Sequence, residues 1–186
     1  YRPPLIGGDS ETGVSNTEDF ICLMLKGCVQ MKSFPDIDYY LDMSPVDYVS
    51  SSIVYLSQQP KSISKAFHLQ HPQPIQLSQL INWISILGYD IEQIPYEDWL
   101  EKLQTSACTP DNPLYTLKPF LLQRWTEEQL TATEIYMQER RPSQISCKQT
   151  LDALAGSDIV CPPLDPQLFS KYLSYLLKSG FLTAVS

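Results

Sequence analysis

Glycine is scarce in this chain: only 7 of its 186 residues are glycine, whereas proline occurs 15 times. Folds that bind a nucleotide usually place glycines where the backbone closes around phosphate groups. The sequence contains neither a GxGxxG string nor a GxxxxGK[ST] string. The chain therefore carries no phosphate cradle of either common kind.

Metal-ligating residues are equally sparse. The only two histidines are His68 and His71, no HExxH string occurs, and the five cysteines never form a CxxC pair. A zinc site needs three or four nitrogen or sulfur ligands at characteristic spacings, so we predict no metal site. His68 lies in an apolar stretch and is predicted to be a core or edge residue with a hydrogen bond. Five unpaired cysteines indicate reduced thiols and a cytoplasmic protein.

The residues of a self-sufficient catalytic centre are also missing. The string Gly8-Asp9-Ser10-Glu11-Thr12 departs from the GxSxG pattern of hydrolases at its last position. None of the 11 tyrosines is followed four residues later by lysine. We therefore assign no catalytic residue within this chain.

Charge and hydropathy exclude two further classes of protein. The formal net charge is −8, and no cluster of lysine and arginine suggests a nucleic-acid partner. No apolar run approaches the roughly 18 residues that a membrane span requires. Because 43% of the residues are hydrophobic, the chain is expected to fold around a core.

The pattern of elements predicts an α+β, mostly helical fold. Strands are predicted at Tyr1–Ile6, Asp38–Met43, Lys65–Leu69 and Ile91–Ile94. Helices are predicted from Asn16 or Thr17 to Met31, and at 45–57, 78–87, 96–103, 114–125, 147–155 and 166–178. The segment 126–146 is predicted to be mostly irregular. Strands and helices alternate in the first part and only helices are predicted later, which suggests a substrate-side segment at 1–104 and a helical subdomain at 105–186.

Three helix starts carry specific expectations. Asn16 or Thr17 is predicted to cap the first helix, with Asp19 in its first turn. Ser44 is predicted to cap the second helix, with Pro45 at its first position. Asp47 is expected to be structural and to bond backbone N–H groups at that helix start.

Several strings resemble the thioester reductase family, which ends non-ribosomal peptide and polyketide synthases and is related to carboxylic acid reductases. They are RPPLIGGDSETG from Arg2 to Gly13, NTEDF from Asn16 to Phe20, and PVDYV from Pro45 to Val49. AFHL from Ala66 to Leu69 resembles a late strand of the same family. The resemblance implies the C-terminal, substrate-side part of an extended short-chain dehydrogenase/reductase, with a Rossmann-type parent and a few edge strands of the parent sheet.

The resemblance implies NADPH as cofactor, bound mostly by an upstream dinucleotide-binding segment of the same polypeptide. That segment would also carry the glycine-rich loop and the Tyr-x-x-x-Lys pair. Pro3, Pro4 and Leu5 match positions beside the nicotinamide. Ser10, Thr12, Asn16 and Asp19 are the candidate substrate-binding residues. The implied reaction releases an acyl or peptidyl thioester as an aldehyde or alcohol, from a carrier domain with a phosphopantetheine arm.

Two alternatives remain open at this stage. A nucleotide-sugar epimerase or dehydratase of the same superfamily would favour basic residues near its diphosphate, and residues 3–25 contain none. A helical interaction module without enzymatic activity is the second alternative. On the reductase interpretation, the isolated segment is expected to be inactive and to self-associate through exposed strand edges.

Overall fold

The computed structural model describes residues 1–125, 127–138 and 145–184. Among them lie one 3₁₀ helix (Pro60–Ser62) and eight α-helices: α1 (Phe20–Met31), α2 (Val46–Ser57), α3 (Leu77–Ile86), α4 (Tyr96–Ser106), α5 (Leu114–Leu122), α6 (Ala132–Gln138), α7 (Lys148–Leu154) and α8 (Pro166–Lys178). The strands of the same residues are short: β1 (Leu5–Gly7), β2 (Ser33–Asp36), β3 (Tyr40–Leu41), β4 (Met43–Pro45), β5 (Ile75–Gln76), β6 (Glu92–Pro95), β7 (Arg124–Trp125) and β8 (Leu130–Thr131). The predicted mostly helical α+β class is confirmed.

The chain forms two compact units. Unit 1 comprises Tyr1–Ser15, Leu41–Ile75 and Ser143–Gly180, and unit 2 comprises Asn16–Tyr40, Gln76–Pro142 and Phe181–Ser186. The division into 1–104 and 105–186 stays a prediction. No helix in the described part of the chain has both the length and the hydropathy needed to cross a bilayer.

Unit 1 is built on the parallel pairing of β1 with β4. In this register Leu5 lies opposite Met43 and Gly7 opposite Pro45. The apolar face of α2 packs into a core of buried side chains, comprising Tyr48, Val49, Leu56, Phe67, Leu69 and Leu154. This arrangement places the ends of β1 and β4, and the segments that follow them, on one side of the pair.

The predicted strand Lys65–Leu69 is reduced to a single bridge. The Arg2 N–H donates to the Phe67 carbonyl at 2.8 Å, and the Leu69 N–H donates to the Arg2 carbonyl at 3.0 Å. A longer ladder is prevented because Pro3 and Pro4 have no N–H to donate. The strand predicted at Tyr1–Ile6 accordingly begins only at Leu5.

Unit 2 contains the parallel pair β2 and β6, with Ser33 opposite Glu92 and Asp36 opposite Pro95. The α4 residue Trp99 is 1% exposed, and its indole N–H donates to the Ser33 carbonyl at 3.3 Å. The sequence predicted β6 within one residue, whereas β2 was not predicted. Pro35 lowers the strand propensity of Ser33–Asp36, and the strand forms because it pairs with β6.

The prediction that residues 126–146 are mostly irregular was wrong for the central part of this segment. Helix α6 and strand β8 lie there, and β8 pairs antiparallel with β7. The helix predicted to reach Trp125 ends at Leu122, and Trp125 belongs to the hairpin. Residues 126 and 139–144 of that segment lie outside the described residues.

Two predicted helix caps were also wrong. Helix α1 begins at Phe20 with Asp19 as its N-cap, and the Asp19 carboxylate accepts the Cys22 N–H at 2.8 Å. Asn16 instead accepts the Glu18 N–H at 3.1 Å in a turn before the helix. Ser44 lies in β4, and its hydroxyl donates to the Leu69 carbonyl at 2.9 Å. The Ser44 hydroxyl thus forms a long-range hydrogen bond, although its local sequence favours a helix N-cap.

Candidate functional site

Residues 8–15, here called the edge loop, follow the carboxyl end of β1. Helix α2 follows the carboxyl end of β4. Because β1 and β4 are parallel, the edge loop and the start of α2 lie at the same edge. In open α/β sheets, ligands bind outside the carboxyl ends of the strands. This edge is therefore the candidate functional site of unit 1.

The edge loop is organised around the Asp9 carboxylate. One oxygen of this group accepts the Thr12 N–H at 2.7 Å, the Thr12 hydroxyl at 2.7 Å and the Glu11 N–H at 3.1 Å. These bonds, the Thr12 hydroxyl first, lower the pKa of Asp9 below its usual value. The loop closes where the Asp9 N–H donates to the Val14 carbonyl at 2.9 Å. The candidate residue Thr12 is thereby held on an exposed turn.

Asp47 braces the edge loop from the first turn of α2. Its carboxylate accepts the Ser10 N–H at 2.9 Å and the Ser10 hydroxyl at 2.6 Å. Asp47 is structural, as expected, but the prediction that it bonds backbone N–H groups at the start of α2 is wrong, because its backbone partner is Ser10, 37 positions earlier in the chain. Ser10 is buried, and its hydroxyl donor is committed to Asp47. A hydroxyl oxygen that donates can still accept a hydrogen bond from a ligand.

Helix α8 holds the edge loop through two consecutive residues. The Lys171 ammonium donates to the Ser10 carbonyl at 2.7 Å, and the Tyr172 hydroxyl donates to the Gly8 carbonyl at 3.0 Å. Burial raises the pKa of Tyr172, so its phenol remains a hydrogen-bond donor well above neutral pH. Sequence reasoning missed both residues, because nothing local distinguishes them from other residues of an amphipathic helix.

Two glycines permit this close approach. A Cβ at Gly13 would lie 2.3 Å from the Lys171 carbonyl oxygen, and Gly13 has a φ of +76°. A Cβ at Gly8 would lie 2.9 Å from the Tyr172 ring. The spacing between the loop and α8 thus excludes any side chain at either position. Gly8 and Gly13 therefore have a packing role.

The three predicted cofactor-contacting residues lead into the candidate site. Pro3 is exposed, Pro4 and Leu5 are half-buried, and Leu5 opens β1. Neither proline can donate a backbone hydrogen bond, so this stretch presents apolar ring surface. Their contact with a nicotinamide stays a prediction.

Asn16 and Asp19 belong to unit 2, whereas Ser10 and Thr12 belong to unit 1. The Asp19 carboxylate is used as the N-cap of α1, and the exposed Asn16 side chain forms a turn with Glu18. The role of all four residues in substrate binding stays a prediction.

His71 has a structural position in unit 1. Its Nδ1 accepts the Gln73 N–H at 3.0 Å, so the ring proton lies on Nε2, which donates to the Pro162 carbonyl at 2.8 Å. The Asp42 carboxylate accepts the His71 backbone N–H at 2.8 Å, and burial raises the pKa of Asp42. These contacts connect residues 42, 71 and 162. Both ring nitrogens of His71 therefore have a hydrogen-bond partner within the protein.

The chain is similar to several known proteins. An NAD-binding family described as "Male sterility protein" matches residues 1–53, which include the edge loop and the start of α2. The crystal structure of the terminal R domain from the myxalamid PKS-NRPS biosynthetic pathway is 38% identical, with a TM-score of 0.84. The match covers 100% of this chain and 45% of that chain.

L-2-aminoadipate reductase of Saccharomyces cerevisiae is 31% identical over 97% of this chain and 13% of its own length. A thiolation-reductase di-domain from an archaeal non-ribosomal peptide synthetase is 18% identical, with a TM-score of 0.71, and shares the fold. That match covers 97% of this chain and 36% of the di-domain chain. The chain spans less than a fifth of the length of L-2-aminoadipate reductase and of other curated relatives that it matches.

The parallel strands, the loop at their carboxyl edge and these likenesses define the class. The chain has the fold of the extended short-chain dehydrogenases/reductases, an oxidoreductase class. Within that class it is part of a thioester reductase domain. The resemblance stated from the sequence is confirmed.

Proposed function

We propose that this chain forms the substrate-side wall of a reductase that uses NADPH to release a carrier-bound acyl or peptidyl thioester as an aldehyde, with further reduction to an alcohol in some cases. The edge loop carries this proposal. It lies at the carboxyl edge of parallel strands and is held by Asp47 on one side and by Lys171 and Tyr172 on the other. A loop held at three points can present groups to a reacting carbonyl with little loss of entropy.

We propose that this chain contacts the nicotinamide end of NADPH. Pro3, Pro4 and Leu5, which precede and begin β1, are proposed to contact the face of the nicotinamide ring through their apolar side chains. The sequence has no glycine-rich loop for the pyrophosphate, so we assign that end to the upstream dinucleotide-binding segment of the same polypeptide. When bound, NADPH supplies a hydride to the thioester carbonyl carbon. With one proton, the products are an aldehyde, a free thiol and NADP⁺.

We propose that Ser10 and Thr12 orient the acyl group from the edge loop. Ser10 keeps acceptor capacity after donating to Asp47, and Thr12 is exposed on the turn that Asp9 holds. An amide of the acyl or pantetheine chain is a donor of the right kind for these hydroxyl oxygens. Asn16 and Asp19 are also proposed as substrate-binding residues, with Asp19 retaining its capping bond.

We propose that the substrate is delivered by a carrier domain bearing a phosphopantetheine arm. The fold shared with the thiolation-reductase di-domain supports this partner. The absence of a Tyr-x-x-x-Lys pair from this chain supports a proton donor in the upstream segment. The chain is proposed to act in the cytoplasm, as its unpaired thiols suggest.

The test uses the complete reductase that contains this chain, with NADPH and acyl-pantetheine thioesters. We expect NADPH oxidation with release of an aldehyde. Pro4→Ala should weaken NADPH binding, whereas Thr12→Val should raise the KM for the thioester and leave NADPH affinity unchanged. Thr116→Val, on the exposed face of α5, is the matched control for the second variant. Absence of aldehyde from the complete reductase would overturn the proposal.

A further inference from the structure

A groove in unit 1 is lined by the end of α2, the residues that follow it and α7. We call it the lysine groove, after Lys61, Lys65 and Lys148, and its volume is about 860 Å³. Gln59, Ser62 and Asp152 contribute further polar groups to its wall. Pockets of roughly 300–1,000 Å³ are typical of sites for small molecules.

The charge of the lysine groove is opposite to that of the chain. The whole chain carries −8, yet three of its 13 basic residues meet here. Lys148 pairs with Asp152 at 2.6 Å, and both side chains are largely exposed. Lys61 and Lys65 form no ion pair with any residue in the described part of the chain. The groove therefore holds two positive charges that no neighbouring carboxylate neutralises.

The lysine groove is separate from the candidate site described above. The edge loop lies beside the first turn of α2, where Asp47 is found, whereas Gln59 lies just beyond the last turn. Helix α2 has 12 residues, which at ~1.5 Å per residue gives a length of about 18 Å. Lys65 also precedes the bridge residue His68, so it lies toward the amino end of that parallel pairing.

We propose that the lysine groove binds a phosphate-bearing small molecule. Two unpaired ammonium groups supply the charge that a phosphate requires, and the Ser62 hydroxyl and the Gln59 amide supply neutral donors. The Lys148–Asp152 pair lowers the affinity of the groove for phosphate, because the Asp152 carboxylate repels an anion and forms an ion pair with one of the three lysines. The inference does not depend on the proposed reductase activity.

The test measures pyrophosphate binding to the complete reductase by calorimetry at low ionic strength, with excess NADP⁺ to fill a dinucleotide site elsewhere. We expect the double variant Lys61→Met/Lys65→Met to lower the affinity by about tenfold or more. The control Lys102→Met/Lys178→Met changes the net charge equally and should stay within about twofold. An equal loss in both double variants would overturn the proposal.

Asp152→Asn provides a test by gain of binding. It removes the repelling carboxylate and frees Lys148, so pyrophosphate affinity should rise about threefold or more. Since both partners are exposed, the fold should not change. No increase, or no binding by the native protein up to about 10 mM pyrophosphate, would count against the groove.

A parallel titration with ADP identifies the source of the phosphate. ADP binding tighter than pyrophosphate supports a nucleotide ligand, and equal affinity supports inorganic pyrophosphate or phosphate. Binding of poly-glutamate without binding of pyrophosphate would overturn the proposal and indicate a protein-docking face instead. Thioester reduction by the Lys61→Met/Lys65→Met variant should equal that of the native protein, so the two proposals fail separately.

Discussion

The Lys171 ammonium donates a 2.7 Å hydrogen bond to the backbone carbonyl of Ser10, which lies 161 positions earlier in the chain. The carbonyl belongs to the edge loop, whereas the lysine belongs to α8. A helix near the end of the chain thus fixes a loop near its beginning. This relationship makes α8 part of the candidate site, although its residues lie outside the 1–53 family match.

Lys171→Met should loosen the edge loop and raise the KM for the thioester about three- to tenfold in the complete reductase. The lost bond joins a charged donor to a partly buried carbonyl, and such bonds contribute about 1.5–3 kcal/mol. NADPH affinity should not change, and Lys171→Arg should restore much of the loss because it keeps a cationic donor. Lys178→Met on the same helix is the control. Unchanged thioester kinetics in Lys171→Met would contradict this role.

Gly13→Ala should destabilise the protein more than Gly156→Ala does. Both glycines have positive φ, +76° and +89°, so both variants carry a similar backbone strain of about 1–2 kcal/mol. Only at Gly13 would the added Cβ meet backbone, 2.3 Å from the Lys171 carbonyl oxygen, since nothing lies within 4 Å at Gly156. Overpacking should add about 1–3 kcal/mol at Gly13. Denaturant unfolding of both variants measures the difference, and equal losses would argue against close packing of the loop on α8.

Asp19→Ala should lower the free energy of unfolding by about 1 kcal/mol, the usual effect of losing an N-cap. Asn16→Ala should cost much less, since Asn16 forms only an exposed turn with Glu18. Thermal unfolding of the two variants compares the competing caps directly. A larger loss for Asn16→Ala would reinstate Asn16 as the cap of α1.

The five cysteines should separate by reactivity. Burial raises the pKa of Cys22 and Cys161 to about 12 and raises that of Cys28 further, whereas Cys108 is exposed. A thiol-specific chromogenic reagent at about pH 8 should therefore modify Cys108 first and the buried thiols only after unfolding. Rapid modification of Cys22 or Cys28 in the folded protein would contradict their burial.

The same shifts predict loss of stability at alkaline pH. The folded pKa of Cys22 and Cys161 lies above the ordinary 9.0, so the folded state holds these protons more tightly than the unfolded state. Their contribution to stability is intact below pH 9 and is lost as the pH rises from 9 toward about 12. Replacing both with Ser or Ala should flatten this part of the stability profile.

The isolated 186-residue chain should not oxidise NADPH with any acyl-pantetheine thioester. It contains neither a glycine-rich phosphate loop nor a Tyr-x-x-x-Lys pair. The complete reductase is the positive control. Turnover by the isolated chain above a protein-free blank would show that its own residues suffice.

Helices with a strong local signal were predictable from sequence. The end of α1 was predicted near Met31 from its apolar stripe, and both ends of α8 were predicted to the residue because its apolar stripe coincides with clear end signals. Asp165 and Pro166 start α8 as an N-cap followed by a first-turn proline, and the left-handed Gly180 follows its end. Such signals depend on neighbouring residues alone.

Elements that depend on a distant partner were not predictable in the same way. The stretch Lys65–Leu69 has strand propensity, yet prolines in the opposite segment limit it to one bridge. Conversely, β2 has weak propensity and exists because β6 lies beside it. Ser44 has a capping sequence context but pairs its hydroxyl with Leu69.

The sequence by itself determined that this chain contains neither a glycine-rich phosphate loop nor a Tyr-x-x-x-Lys pair, and which family its short strings resemble. Those properties are contiguous along the chain and need no tertiary information. Only the tertiary structure decided that Ser10 is held by Asp47 and Lys171, and that Lys148 shares one groove with Lys61 and Lys65, which lie more than 80 positions earlier in the chain. A hydrogen bond between residues 37 or 161 positions apart leaves no periodic signal, because folding, not local propensity, brings its partners together.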